Sequence, residues 1–225
     1  MLIAEDLLLL LTADDTGRLA VGGTNTNMAL GGALLAELAL MRRVDIAGPD
    51  ERVKEGRLIV RDAGPIGDGL LDEALATVAG KEDKKPQSVV AALGKRTRGR
   101  LYERLAEAGL LRAEEGRILG IFPTHRWPAE HTGHEASVRA GLVTALRHGE
   151  TTDPRTRALV SLLHALKAVH RAVAPDSVGL SKTELKENAE RVAEGDWVGT
   201  AVRSAIAKRT AIIASSSAAA SSGHG

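Results

Sequence analysis

Apolar residues recur at steps of three and four along most of the chain, a spacing that places them on one face of a helix. The segment from about 28 to 43 shows this spacing at Leu30, Leu34, Leu38 and Met41. The segment from Arg155 to Ala172 is apolar on nearly every side. A surface helix needs only one apolar face, so this second segment is predicted to be the central, most buried helix.

Other segments predict further helices and two short β-hairpins. Helices are expected at about 2–11, 98–108, 135–147 and 197–213, and one more begins where Ser181 and Glu184 have the spacing of a capping box. The first hairpin pairs 44–46 with 57–60, and the second pairs 110–111 with 117–122 around a turn at 114–116. The glycine-rich residues 18–27 and the proline-containing residues 123–133 are predicted as loops.

The composition agrees with a helical core. Aromatic residues make up only 2% of the 225 residues, so the core must consist of Leu, Ala and Val, which suit close-packed helices better than a sheet. We therefore predict a mostly α-helical fold: a compact bundle of amphipathic helices around a central buried helix, with small peripheral β-hairpins. One domain over 1–213 is expected, followed by a disordered low-complexity tail at 214–225 that is rich in Ser, Ala and Gly.

A glycine-proline turn leads into a helix within residues 64–75. Pro65 disfavours helix before it, and Asp68 can accept the free backbone N–H groups where the helix begins. Asp72 and Glu73 then lie in the first turns, where the helix dipole favours negative charge. These acids are interpreted as features of a well-capped surface helix rather than as catalytic carboxylates.

The densest group of cations in the chain is Lys95, Arg96, Arg98 and Arg100. On a helix, Lys95 and Arg98 share one face and can converge on a single anionic group, because arginine is suited to bidentate phosphate contacts. The alternative is an ordinary solvated face, since Glu103 and Glu107 lie nearby in the sequence.

Five segments carry a resemblance to a known family. They are Glu5–Leu10, Gly32–Leu40, Gly64–Leu75, Arg100–Leu111 and Arg157–Ala165. Each alone is a common leucine-rich pattern, but together, in this order across most of residues 1–210, they resemble the Golgi phosphoprotein 3 family (the GPP34 domain). That family comprises Golgi phosphatidylinositol 4-phosphate effectors and their bacterial relatives. The Ala-, Arg- and Gly-rich, cysteine-free composition favours a bacterial member.

The resemblance implies a peripheral phospholipid-binding protein that acts as a membrane-associated adaptor. In the Golgi members, a Trp and an Arg near the second helix and two further Arg hold the phosphate. The resemblance places the two further Arg on Lys95 and Arg98, so the charge is retained. It places the Trp on Gly22 and the other Arg on Gly31, which predicts altered or weakened specificity for the head group.

The predicted hairpin at 110–122 and the loop after it have two interpretations. A helix followed by a hairpin that carries Arg117 is also the pattern of a winged-helix nucleic-acid-binding protein, although a net charge of +1 disfavours this alternative. In the family that the chain resembles, the matching hairpin mediates oligomer contacts and approaches the bilayer. Phe122 and Trp127 then suit a membrane interface or a partner surface, and simple packing over the loop is the alternative.

The remaining candidate chemistry is a group of three histidines. His125, His131 and His134 could form a zinc site, but they have no helical scaffold and no cysteine partner, so a solvated loop is favoured. The sequence contains no phosphate loop, dinucleotide-binding fingerprint, nucleophile elbow or metalloprotease motif. We therefore predict no catalytic residues, no metal, no cofactor and no enzymatic activity.

The expected partners are an anionic phospholipid head group, a second copy of the chain bound through the 110–122 hairpin, and a protein cargo, whereas nucleic acid is not expected. The apolar stretch at 2–12 is short and carries Glu5 and Asp6, so it predicts neither a signal peptide nor a spanning helix. We expect a cytoplasmic protein that can lie on the cytoplasmic face of a membrane.

Overall fold

The computed structural model describes residues 1–118 and 122–221, and most of them are helical. The helices are α1 (Ile3–Leu11), α2 (Gly23–Leu40), α3 (Gly69–Ala79), α4 (Gln87–Leu93), α5 (Thr97–Glu107), α6 (Gly133–His148), α7 (Pro154–Ala165), α8 (Val169–Ala172), α9 (Pro175–Val178), α10 (Lys182–Val192) and α11 (Trp197–Ser221). The predicted fold class, a mostly helical bundle with small peripheral hairpins, is confirmed.

Two antiparallel hairpins join the helices. The strand β1 (Val44–Ile46) pairs with β2 (Leu58–Val60), close to the predicted bounds. The strand β3 (Glu114–Ile118) pairs with β4 (Phe122–Arg126). The first hairpin follows α2 and buries Val44 and Leu58 against the helical core, and the second follows α5.

The predicted register of the second hairpin is wrong. Residues 114–116 lie in β3 rather than in a turn, and Gly116 is opposite Thr124. The predicted loop at 123–133 is also wrong at its start, because Pro123 lies in β4 opposite Arg117. A proline is tolerated here because each strand of a two-stranded ribbon is an edge and can leave a backbone position unpaired.

The helices α1, α2 and α7 share the centre of the molecule. Every residue of α1 is buried, and α2 contacts α1, α4, α7 and α11. On α2, Gly31 lies against the backbone of Gly94 at the end of α4, and Gly32 lies against Leu162 of α7 and Val202 of α11. Close helix contact therefore accounts for both glycines, although each costs about 1 kcal/mol of helix propensity.

The single helix predicted over 155–172 is two helices. The helix α7 ends at Ala165, and Lys167 has a left-handed backbone with φ 56°. The Lys167 N–H donates to the carbonyl of His164 at 2.9 Å, and the Ala168 N–H donates to that of Leu163 at 2.8 Å. These two bonds form a Schellman motif, in which glycine usually occupies the left-handed position. A lysine there gives the sequence no signal of a break.

Two helix boundaries differ from the prediction. The helix α2 begins at Gly23 rather than near Met28, which shortens the predicted loop at 18–27. Thr26 is fully buried in that first turn, so tertiary packing overrides the low helix propensity of Gly and Asn. The helix α11 continues to Ser221, so residues 214–221 of the predicted disordered tail are helical, and residues 222–225 lie outside the described residues.

Two buried acids of α1 hold neighbouring helices in place. Glu5 accepts a hydrogen bond from Nε of Arg104 at 2.7 Å. Asp6 accepts one from Nη2 of Arg155 at 3.2 Å and lies 2.7 Å from Nε2 of His134. Because a buried carboxylate that loses its partner is strongly destabilising, these contacts fix α5, α6 and α7 against α1.

The glycine-proline turn before α3 caps that helix as predicted. Asp68 accepts hydrogen bonds from the N–H groups of Leu70 at 2.9 Å and Leu71 at 3.1 Å. Asp72 accepts one from the N–H of Ile66 at 2.7 Å, which closes the turn. The acids of this segment are therefore occupied by structural contacts.

Candidate functional site

Arg98 lies at the amino-terminal end of α2. It belongs to the first turn of α5, and its guanidinium packs against Gly23, with Nη1 2.6 Å from the position that a Cβ on Gly23 would occupy. The N–H groups of Gly23, Thr24 and Asn25 have no hydrogen-bond partner among the residues that the structure describes. Gly22, the residue before the helix, has no side chain to cap them.

The surroundings of Arg98 are electrostatically positive. The start of a helix carries a partial positive charge of roughly half an elementary charge, and a guanidinium beside it adds a full one. Within the described part of the chain, Arg98 has no hydrogen bond or ion pair with an acid. A half-buried guanidinium and free backbone N–H groups together form a set of hydrogen-bond donors suited to an anion.

Lys95 lies near the start of α2 through its backbone neighbour rather than through the predicted helical face. It lies in the turn between α4 and α5, where Arg96 has a left-handed backbone with φ 62°, so Lys95 and Arg98 do not share a helical face. The preceding residue, Gly94, packs against the backbone of Asn27 in the first turns of α2. The turn between α4 and α5 therefore brings the backbone of residue 95 near the start of α2, and the side chain of Lys95 is exposed.

The other arginines of α5 have acidic partners. Nη1 of Arg100 lies 2.5 Å from Glu73, and Arg104 pairs with Glu5 and Asp68. A winged-helix recognition helix needs its cations free to contact phosphates and bases. These ion pairs therefore disfavour the nucleic-acid-binding alternative, and they leave Arg98 as the arginine of α5 without an acidic partner in the described chain.

The two glycines at the family's lipid-site positions have different surroundings. Nothing lies within 4 Å of a Cβ added to Gly22, so this position opens to solvent. A Cβ added to Gly31 would lie 2.6 Å from the backbone nitrogen of Gly94 and closer still to the carbonyl oxygen of Val90. Gly31 is thus a packing residue between α2 and α4, which leaves no room for an arginine at this position.

Trp127 packs against the body of the molecule. Its ring stacks on that of Tyr102 with centroids 4.9 Å apart and an interplanar angle of 2°. The Tyr102 hydroxyl lies 3.0 Å from that of Thr12, and burial raises the pKa of the Tyr102 phenol. This stacking agrees with the alternative interpretation, packing over the loop, and contact of the half-buried Trp127 with a membrane or a second copy stays a prediction. The side chain of Phe122 lies outside the described residues.

The predicted histidine group does not come together as a metal site in the described part of the chain. Residues 1–118 and 122–221 contain no group of three His, Cys, Asp or Glu side chains placed to hold a metal ion. His134 contacts Asp6, and the side chain of His125 lies outside the described residues. None of the described helices is both long and apolar enough to cross a membrane.

Sequence reasoning missed the free N–H groups at the start of α2 and the role of Gly23. The sequence carries no local signal for them, because Gly22 and Gly23 have low helix propensity and favour the predicted loop at 18–27.

Comparison with known proteins finds a family model and similar proteins. Residues 3–209 match the model of the family described as Golgi phosphoprotein 3 (GPP34). The chain is also similar to vacuolar protein sorting-associated protein 74 of Eremothecium gossypii, with 29% identity over 169 residues. That alignment covers 64% of this chain and 48% of the relative, so the matched region spans about half of the relative's length.

Proposed function

The chain belongs to the Golgi phosphoprotein 3 (GPP34) family, and from this premise we propose that it is a peripheral phospholipid-binding protein without enzymatic activity. The site that supports this proposal is formed by the start of α2, the turn between α4 and α5, and the first turn of α5. The observation that carries it is the guanidinium of Arg98, held beside free backbone N–H groups with no acidic partner in the described chain.

The chemistry of this site suits a phosphate group at a membrane surface. Arg98 can donate two hydrogen bonds to one phosphate, and the N–H groups of Gly23 and Thr24 can donate more. Lys95 adds a point charge at the rim, which strengthens attraction to an anionic surface. Association with the cytoplasmic face of a membrane is part of this proposal.

The same geometry supports weak selectivity among head groups. An aromatic platform is absent at Gly22, and an arginine cannot occupy position 31 without moving α4. Binding that depends on charge distinguishes poorly between head groups of equal charge and weakens with salt, because ions screen it over about 10 Å at 0.1 M. We therefore propose recognition of anionic phospholipids generally, with reduced preference for phosphatidylinositol 4-phosphate.

Vesicle flotation tests the proposal directly. The full chain is mixed with phosphatidylcholine vesicles that contain no anionic lipid, phosphatidylserine, or phosphatidylinositol 4-phosphate, the last two at matched surface charge. Arg98→Ala is expected to weaken binding to both anionic vesicles by about fivefold, since a basic residue near such a surface contributes about 1 kcal/mol. Arg147→Ala, which removes an exposed arginine on α6, is the control.

Two outcomes would overturn the proposal. The wild-type chain would fail to float with any anionic vesicle, or Arg98→Ala would float as well as the wild type. A gel shift with random duplex DNA on the same proteins is expected to show no binding, which separates this function from the winged-helix alternative. Self-association through the hairpin and a protein cargo stay predictions.

A further inference from the structure

A second basic surface lines a cleft between the carboxyl end of α7, α8, α10 and α11. Its volume is about 480 Å³, within the roughly 300–1,000 Å³ of small-molecule sites. Six of its lining residues are basic: His164, Lys167, His170, Lys182, Lys186 and Arg203. The other lining residues are Ala165, Val169 and Leu185, so the described wall contains no carboxylate and has a small apolar floor.

The permanent cations of this cleft have no acidic partners. Within the residues that the structure describes, none of Lys167, Lys182, Lys186 and Arg203 forms an ion pair or a side-chain hydrogen bond. Elsewhere on the surface arginines are commonly paired: Arg52 contacts Glu82 at 2.5 Å and Arg61 contacts Glu51 at 2.7 Å. The cleft therefore concentrates unpaired positive charge in a chain whose net charge is only +1.

The placement of these cations is unfavourable in the empty protein. Lys182 lies in the first turn of α10, where the helix dipole favours acids. Lys186 follows it by four residues, so two like charges face each other along the helix. An anion in the cleft would relieve both repulsions.

Two of the three charged groups that act on His164 are basic. Burial lowers the pKa of His164, and Arg203 and Lys186 lower it further, while Glu190 opposes them. Glu190 is exposed and does not line the cleft, so the described wall itself contains no carboxylate, although Glu190 offsets part of the charge of Lys186 four residues before it.

We propose that this cleft, which nothing in the proposed lipid site uses, binds a compact phosphate-bearing ligand. A phosphate group carries about −1.5 to −2 charge, which matches several converging cations better than one carboxylate does. Lys182 and Lys186 supply point charges from α10, and Arg203 supplies a bidentate donor from α11. The apolar floor suits a carbon-bearing portion next to the phosphate.

Calorimetric titration of the full chain with inorganic pyrophosphate, at fixed ionic strength, tests the soluble form of the ligand. The double variant Lys186→Gln/Arg203→Gln is expected to weaken binding by about tenfold or more, the ratio expected when charge-assisted hydrogen bonds are lost. The matched control is Arg147→Gln/Lys208→Gln, which removes the same charge from exposed positions outside the cleft. Flotation with phosphatidate vesicles tests a lipid source with the same variants.

Lys167→Gly provides a variant that is expected to keep the fold. Glycine adopts the left-handed backbone of position 167 without strain, so the midpoint of thermal unfolding should be equal or higher while pyrophosphate or phosphatidate binding weakens.

Each outcome decides the proposal. The proposal is supported if the cleft variants lose binding and the control variants do not. Loss of pyrophosphate binding would identify a soluble phosphate, and loss of phosphatidate binding would identify a lipid phosphate. Equal losses of binding in the cleft and control variants would mean that only the overall charge matters, and this would overturn the proposal. Absence of wild-type binding in both arms would also overturn it, as would binding that Arg98→Ala abolishes but the cleft variants do not. Because the cleft and Arg98 are tested by different substitutions, failure of one site leaves the other open to its own test.

Discussion

The guanidinium of Arg98 and the backbone of Gly23 are in direct contact, with Nη1 2.6 Å from where a Cβ on Gly23 would lie. The arginine at the start of α5 can approach the start of α2 because residue 23 has no side chain. A methyl group at residue 23 would displace the flexible end of Arg98, while alanine favours the helix itself.

Gly23→Ala is therefore expected to weaken flotation with anionic vesicles while leaving the midpoint of thermal unfolding unchanged or raised. Gly22→Ala is the matched control, because nothing lies within 4 Å of its added Cβ. Flotation and thermal unfolding are measured on both variants. Equal binding by the two variants would show that the position of Arg98 does not matter for the lipid.

The sequence predicts those parts of this fold whose signals are local. The capping box at Ser181 and the cap at Asp68 determine helix starts by hydrogen bonds within a few residues, and both predictions are confirmed. The break after α7 could not be predicted because Lys167 replaces the usual glycine of a Schellman motif. The start of α2 depends on tertiary packing around Thr26, which no local pattern reveals.

The same difference between local sequence signals and tertiary contacts applies to the candidate site. The cation cluster at Lys95 and Arg98 is visible in the sequence, but its geometry comes from the turn between α4 and α5 rather than from a shared helical face. The resemblance places a missing arginine at Gly31, and the backbone contact with Gly94 gives the physical reason why only a glycine fits there. Contacts between distant segments decide both cases.

Asp68 should make stability depend on pH below about pH 4. Burial raises its pKa, but the hydrogen bond from Arg104 and those from the N–H groups of Leu71 and Leu70 outweigh it and hold the pKa below 3.8. A lowered pKa in the folded state means that the stabilisation is present above pH 3.8 and is lost as the pH falls through the native pKa.

Asp68→Ala is expected to cost about 0.5–2 kcal/mol at pH 7, the usual cost of losing a helix cap. Asp68→Asn can still cap the helix but has no charge, so its denaturation curves should show less loss of stability between pH 4 and pH 2 than the wild type, a range that begins at the ordinary pKa of 3.8. Equal acid sensitivity of wild type and Asp68→Asn would assign that sensitivity to other carboxylates.

Leu163→Ala should destabilise the fold strongly. Leu163 of α7 is 0% exposed in the central core, so truncation leaves a cavity that typically costs about 2–5 kcal/mol. Leu40→Ala makes the same change at a side chain that is 40% exposed and should cost much less. Urea denaturation measures both variants. A loss below about 1 kcal/mol for Leu163→Ala, well under that core range, would contradict the central position of α7.

The two glycines at the family's lipid-site positions should respond in opposite ways to larger side chains. Gly22 opens to solvent, so Gly22→Trp should fold normally and supply the aromatic platform that the resemblance places at this position. Gly31 contacts the backbone of α4, where even a Cβ would overlap the Val90 carbonyl oxygen, so Gly31→Ala should lower the midpoint of thermal unfolding sharply. Backbone cannot move aside as a flexible side chain can, and overpacking typically costs about 1–3 kcal/mol.

Flotation and thermal unfolding on these variants test the reason for weak head-group selectivity. Gly22→Trp is expected to bind phosphatidylinositol 4-phosphate vesicles more tightly than phosphatidylserine vesicles of equal charge, because the indole ring can pack beside the head group that Arg98 holds. Gly22→Ala controls for the loss of glycine at the start of α2. If Gly22→Trp gains no selectivity, the open position at Gly22 is not what limits recognition. If Gly31→Ala unfolds at the wild-type temperature, the close approach of α2 and α4 is not required.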